Sequence, residues 1–406
     1  MIINNAMVYS EENGFLPGSI NIENGRFGKI FYHSDISQAG DVIDAKGCYA
    51  IPGLIDIHLH GCVGYNFYDA SYEDLLKMFQ YLAKNGVTSL SPTTLTLPED
   101  ILTRACESIA AAARKIDRLP DATSATAAAP LSGGAETGAE ARSAAPVGIY
   151  LEGPFLSPLK SGAQNPAYAI LPDMALLKRL RKASGNLVKI IAVAPEIEGA
   201  LDFIGAASGE IAVAIAHTGA DYATTVEAFA RGAKHVTHLY NAMSGFNHRE
   251  PNVVGAVFDT PAVTAELVGD GVHLHPAAVR VAMRLLGPER AVIVSDSMAA
   301  AGLGDGIYDL GGLSVNVAGK EARLVNGGNI AGSASTLMDC LRVAVKEVGM
   351  PLAEAVRCAS GNPARVLGVS DERGHIREGM VADLVLLDKD LNIKEVVLRG
   401  RPLPAC

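Results

Sequence analysis

The chain is expected to fold as an α/β protein, a (β/α)8 TIM-type barrel carrying a small flanking β-sandwich made from its two ends. Three observations carry that expectation. Eight short apolar segments recur through the middle of the 406 residues, each separated from the next by a helical or turn-rich stretch. Such alternation is the pattern of parallel βα units, and eight strands close a barrel. Both ends are instead rich in β-formers broken by turn dipeptides. Finally, a 49% hydrophobic composition provides for a buried interior, while the apolar runs fall short of the ~20 residues needed to cross a bilayer.

Taken in order, residues 1–51 contain short strand-like pieces interrupted at Asn13-Gly14 and Asn24-Gly25. Asn-Gly is a two-residue hairpin signal because both positions tolerate positive φ. A matching texture returns in residues 371–406, so the two ends are expected to pair into the sandwich, leaving residues 52–370 for the barrel. The expected barrel strands are Leu54–Leu59, 87–93, 148–151, 188–194, 211–216, 235–237, Thr264–Val268 and Ala291–Val294. Helices are expected between them at 72–85, 175–183, 222–232 and Pro276–Leu286, the last with Val279, Met283 and Leu286 on one face. Residues 121–146 are nearly all Ala, Ser, Thr, Gly, Pro and Glu, with Leu131 the single large apolar residue. Too little apolar surface is available there to offset the entropy of ordering, which predicts a low-complexity surface insertion. Beyond the eighth strand, residues 305–332 suggest a hairpin and 336–348 a helix.

Composition excludes several classes of function. A net charge of −10 and the absence of Trp disfavour a nucleic-acid partner. No Lys or Arg precedes Arg26, so the charged start of a secretory signal is missing, and no membrane partner is expected. The six cysteines (Cys48, Cys62, Cys106, Cys340, Cys358, Cys406) contain no Cys-X-X-Cys pair, which fits a reducing cytoplasm better than a disulfide framework.

Chemistry is concentrated where the strands stop. The first strand carries His58 and His60, which share a face because side chains alternate in an extended segment. A lone His-X-His pair is more often satisfied packing, and His273-Leu-His275 is a second instance. The first is different because later strands also reach a metal-ligating or acid-base residue: Glu152, His217, His238 and Asp296. Loops at that end of a barrel aim side chains at one axial point. Imidazoles and carboxylates are the ligands of a hydrolytic divalent ion, Zn2+ or Fe2+, which lowers the pKa of bound water from about 15.7 to about 7. A carboxylate beside that water can then move its proton to a leaving amine, so the set suits amide hydrolysis. By contrast, His235 is expected to be structural, and His275 to introduce the helix that follows it.

These residues carry a resemblance that spans essentially the whole chain. Pro52-Gly-Leu-Ile-Asp-Ile-His-Leu-His-Gly61, Leu151-Glu-Gly-Pro-Phe155, Gly162-Ala-Gln-Asn-Pro166, Thr237-His-Leu-Tyr-Asn-Ala-Met243, His248-Arg-Glu-Pro251, Asp270-Gly-Val-His273 and Ile330-Ala-Gly-Ser333 resemble the amidohydrolase superfamily. Within it, they are most similar to the deacetylases of N-acetylglucosamine 6-phosphate. His-X-His is widespread in the superfamily, whereas the Leu-Glu-Gly-Pro-Phe, His-Leu-Tyr-Asn-Ala-Met and His-Arg-Glu-Pro set is narrow.

The resemblance implies that Glu152, His217 and His238 hold the main metal and that Asp296 is the general base and acid. His58 and His60 are expected to complete a second position bridged by Glu152, giving one or two ions per subunit. Ala163, Gln164, Asn241, Ala242, Arg249, His273, Ile330, Ala331 and Gly332 are expected to contact a sugar phosphate. The Arg249 guanidinium offers a planar fork to phosphate oxygens, and the resemblance implies that it is contributed across a homodimer interface. Gln164 stands where some relatives have a histidine that polarises the acetyl carbonyl, so a second ion on His58 and His60 is expected to take over that role. The galactosamine epimer is the alternative substrate; an N-acyl or cyclic amide is a more distant one.

Overall fold

The structure, a computed structural model, describes residues 1–34, 41–116 and 137–404. Its centre is a closed parallel barrel of eight strands: β1 (Leu54–Leu59), β2 (Val87–Pro92), β3 (Ile149–Phe155), β4 (Val188–Val193), β5 (Ala212–Ile215), β6 (His235–Val236), β7 (Thr264–Val268) and β8 (Ala291–Val294). Ladders join β3 through β8 in sequence and β1 to β2. Single parallel bridges close the two seams, Thr93 to Tyr150 between β2 and β3 and Leu59 to Ser297 between β8 and β1. At the second seam the Asp296 N–H donates to the His58 carbonyl at 2.9 Å and the His60 N–H to the Ser297 carbonyl at 2.7 Å. The ring closure thus ties the first strand's histidines to the last strand's aspartate.

Every residue of β1, β2 and β3 is buried. That explains their near-continuous apolar character, since parallel strands are covered on both faces. Around them the helices follow from amphipathic spacing. In Tyr72–Lys84 the buried residues Leu75, Met78, Phe79, Leu82 and Ala83 repeat at helical intervals, Ser71 caps the start, and Gly86 turns the chain with φ of 81°. His275 caps Pro276–Leu286, its ring accepting from the Ala277 N–H at 3.1 Å.

The two ends of the chain form the flanking β-sandwich, whose strands join in one hydrogen-bonded sheet, with Val42–Asp44 branching from Ile2–Ser10. Tyr49–Pro52 is its junction, pairing in parallel with Ile2–Ser10 and antiparallel with Leu384–Leu387. Both Asn-Gly signals sit at hairpins. Asn24 and Gly25 have φ of 50° and 75° between the paired residues Glu23 and Arg26, the two positive values that a tight twisted turn needs.

Several elements differ from expectation. The third strand runs to Phe155 instead of 151, so Glu152 lies within it, where the register with β4 breaks between Leu151 and Phe155. Residues 305–332 hold a three-stranded antiparallel sheet, Gly306–Leu310, Leu313–Ala318 and Glu321–Leu324, one strand more than a hairpin. Of the 121–146 segment, residues 121–136 lie outside those described. The rest is no surface excursion: it contains the helix Thr137–Ala141 and the strand Ala145–Pro146, paired with β2, with Ser143, Ala144 and Ala145 fully buried. Small side chains let this strand pack closely, and Arg399 binds the carbonyls of Glu140, Ala141 and Ser143 at 3.0–3.2 Å.

Candidate active site

At the C-terminal mouth of the barrel is a cleft of about 430 Å³. His217, His238 and Asp296 each stand two residues past the end of β5, β6 and β8. All three have positive φ, 44°, 28° and 49°. An L-residue costs roughly 1–3 kcal/mol in such a backbone, a strain that the packed strand ends sustain and that turns each side chain inward.

These residues meet at Glu152. Its Oε1 lies 2.9 Å from His238 Nε2, 3.1 Å from His217 Nε2 and 3.5 Å from His58 Nε2. Its Oε2 lies 3.3 Å from His60 Nε2. Asp296 Oδ1 is 3.3 Å from His60 Nε2 and 3.7 Å from His58 Nε2, and its Oδ2 is 3.7 Å from His273 Nε2. Two groups could therefore each hold a cation, Glu152 with His217 and His238, and Asp296 with His58 and His60.

The tautomers are set from outside. His58 Nδ1 is 2.7 Å from Glu266, His60 Nδ1 is 3.3 Å from the Thr93 carbonyl, and His217 Nδ1 is 3.0 Å from the Lys160 carbonyl. Each acceptor takes the Nδ1 proton in a hydrogen bond and aims Nε2 at the carboxylates, the usual orientation of a metal-ligating imidazole. An Nε2 and a carboxylate oxygen that face each other need a positive charge between them, a proton or a metal ion. Consistent with that, His58 Nε2 is buried without a hydrogen-bond partner. The donor set, imidazole nitrogens with carboxylate oxygens, suits a divalent ion.

Electrostatics agree. Burial alone would raise the Glu152 carboxyl, yet the imidazoles of His58 and His217 and hydrogen bonds from His217 and His238 hold it well below the usual range. Asp296 is likewise lowered against its burial by His60, His58 and His273. Conversely, burial would lower His60, but its bonds to Asp296 and Glu152 carry it up to about 9. His58 is raised well above its ordinary value, against its burial, by Glu266 and Glu152. The cluster holds an excess of buried negative charge that either protons or a metal must balance.

Of the residues expected to touch substrate, Ala163, Gln164, Asn241, Ala242, His273, Ile330 and Gly332 line the cleft. Ala331 does not: it is fully buried, its N–H on the Ala322 carbonyl at 3.0 Å, because the chain there runs as an edge of the three-stranded sheet. Arg249 does not line its own cleft either. It sits on the exposed 244–250 loop, with its N–H on Asn247 Oδ1 at 3.0 Å. His273 is held by Asp270, whose Oδ2 is 2.8 Å from its Nδ1 and whose Oδ1 accepts the Val272 and His273 N–H groups.

Sequence reasoning missed Lys160, which lines the cleft, and Glu266. Glu266 is fully buried in β7 and binds His58 Nδ1, His235 Nε2 (3.0 Å) and the His238 N–H (3.0 Å). The available signal was a lone carboxylate in the apolar run Thr264–Val268. His235, read as structural, thus supports the same carboxylate from below. Replacing Glu266 with Gln is expected to weaken divalent-metal affinity about 10- to 100-fold, the usual effect of losing a partner that orients a ligand. Chelator-competition titration checks this, and unchanged affinity would contradict the orienting role.

Comparison with known proteins now places the chain. The amidohydrolase family profile matches residues 49–403. The chain is 33% identical over 408 aligned residues to the N-acetylglucosamine-6-phosphate deacetylase of Bacillus subtilis, covering 98% of this chain and 96% of that one. It is 34% identical to the N-acetylgalactosamine-6-phosphate deacetylase of Escherichia coli O157:H7, covering 86% of each. Among solved structures, a mutant of the N-acetyl-D-glucosamine-6-phosphate deacetylase of Mycobacterium smegmatis, in complex with N-acetyl-D-glucosamine-6-phosphate, superposes with a TM-score of 0.88 at 32% identity. That match covers 100% of this chain and 99% of the other. With the barrel closed, the sandwich in place and the match running through nearly all of both, this chain belongs to the amidohydrolase family.

Proposed function

We propose that the chain hydrolyses the acetamide of N-acetylglucosamine 6-phosphate, giving glucosamine 6-phosphate and acetate. The observation that carries this is Glu152 shared between two imidazole groups, with Asp296 beside it on an open cleft. One or two divalent ions held by Glu152, His217 and His238, and by His58 and His60, would polarise the acetyl carbonyl and acidify water. Asp296, ionised at neutral pH, takes the proton of the water that attacks the carbonyl carbon. It then gives that proton to the sugar nitrogen as the C–N bond breaks. Acetate and the free amine leave. His273, fixed by Asp270, faces the same Asp296 carboxylate and serves to orient the sugar.

The phosphate end is assigned to Asn241 and Ala242, completed by Arg249 from a second copy of the chain. Support for a homodimer comes from the loop that carries Arg249. It is exposed, with Phe246 58% accessible, and Leu159 at the cleft mouth is 92% accessible. Arg249→Ala is expected to raise KM for the phosphorylated substrate about 10- to 100-fold, the worth of one charge-assisted hydrogen bond, without affecting an unphosphorylated analogue. Because the arginine acts in trans, mixing Arg249→Ala with Asp296→Asn subunits is expected to restore activity. Absence of complementation in a proven mixed dimer would contradict the assignment.

The Escherichia coli relative favours a second reading, the galactosamine epimer. Acetate release from the two 6-phosphate epimers decides between them: faster release from the gluco compound supports the proposal, and faster release from the galacto compound replaces it. Cys62, Cys106, Cys340 and Cys358 are buried and free, as suits a protein working in a reducing cytoplasm. Among the described residues no helix is long and apolar enough to cross a membrane.

A further inference from the structure

The side chain of Gln164 is buried, 5% exposed, and spans two fixed groups. Its Oε1 accepts the Thr96 backbone N–H at 2.7 Å, and its Nε2 donates to Glu152 Oε2 at 2.5 Å. Only one orientation of the amide satisfies both. Flipped, its carbonyl would face a carboxylate and its NH2 a backbone donor. The Thr96 end is rigid: its Oγ1 donates to the Glu152 carbonyl at 3.4 Å. A Cβ on Gly153, where φ is 95°, would fall 2.2 Å from that same Oγ1. Thr96, Gln164 and Glu152 therefore form a closed loop of contacts inside the cleft wall.

The division of labour within Glu152 follows from that loop. Its Oε1 faces His217 and His238, while the oxygen held by Gln164 is the one nearest His60. We propose that Gln164 is a positioning residue. By anchoring Oε2 it fixes the rotation of the Glu152 carboxylate, so that one oxygen serves the His217 and His238 pair, with His58 at its edge, and the other stays turned toward His60. This inference rests on the metal-site reading above and is independent of which sugar is bound. It also narrows the expectation that Gln164 contacts the sugar phosphate, because the acceptor of Gln164 and one of its donors are engaged within the wall.

The test compares the parent protein with Gln164→Met, similar in length but without polar atoms. Zn2+ affinity is measured by competition with a chromogenic chelator, and the melting temperature of the metal-free protein controls for folding. The expected result is Zn2+ affinity about 10- to 100-fold weaker, with acetate release recovering toward the parent at saturating Zn2+. Unchanged affinity overturns the proposal: with kcat lost at saturating Zn2+, Gln164 acts on the substrate, and with kcat intact it is idle. If the variant does not fold, a crystal structure of the Zn2+-loaded parent decides. Gln164 Nε2 still within hydrogen-bond distance of Glu152 supports the inference, and an amide turned into the cleft overturns it. A parent that binds Zn2+ yet releases no acetate would defeat the substrate reading while leaving the affinity comparison valid.

Discussion

Asp296→Asn is expected to lower turnover about 10²- to 10⁴-fold, the range attached to a positioned acid-base group, while the ion at Glu152, His217 and His238 stays bound. The reason is geometric and electrostatic. Asp296 reaches the cleft from a left-handed position just past β8, with its N–H anchored on the His58 carbonyl. Burial would favour its protonated form, but His60, His58 and His273 keep it ionised and able to accept a proton. Asparagine keeps the shape and cannot accept that proton. Because Asp296 belongs to the His58 and His60 group and not to that of Glu152, His217 and His238, the latter keeps all its members. Steady-state kinetics with metal analysis checks both halves; undiminished turnover would exclude Asp296 from proton transfer.

Glu152→Gln is expected to have the larger effect, since it removes the one carboxylate that both imidazole groups share. A neutral amide would face the Nε2 atoms of four imidazoles, and one of its two groups would be a donor unable to ligate an ion. Bound metal and hydrolysis should be lost together. With metal chemistry worth several kcal/mol of charge stabilisation, at about 1.4 kcal/mol per decade, the drop in turnover is at least about 10³-fold. Elemental analysis of the variant, purified with the divalent ion supplied, is the check. A full complement of metal would contradict the shared-ligand geometry.

Much of the architecture can be read in the sequence because a closed parallel barrel leaves a strong trace. Strands buried on both faces become apolar runs, and polar residues that interrupt them must have a partner. His58 stands out for that reason, and His217, His238 and Asp296 because each follows the apolar run of its strand at the barrel mouth. Glu266 obeys the same rule yet was overlooked, because it lies inside its strand and its role appears only when His58 and His235 are seen to converge on it. Where side chains are small the trace fades. Ala144 and Ala145 are fully buried in a segment whose composition suggests a loose surface loop, since alanine packs without displaying hydrophobic periodicity. The extension of β3 to Phe155 was hidden by Gly153 and Pro154, residues that normally end strands. Gln164 shows the last limit. A motif can mark it as a site residue, but only the positions of Thr96 and Glu152 reveal which of its atoms are engaged.

The central claim is that an acetamide is hydrolysed at the Glu152-centred cluster. Its most direct test is acetate release from N-acetylglucosamine 6-phosphate by metal-stripped protein titrated with counted equivalents of Zn2+ or Fe2+. The account predicts negligible release from the stripped protein and activity that rises with added ion until one or two per subunit are bound. Release that persists in the stripped protein, or none at any loading, would contradict it.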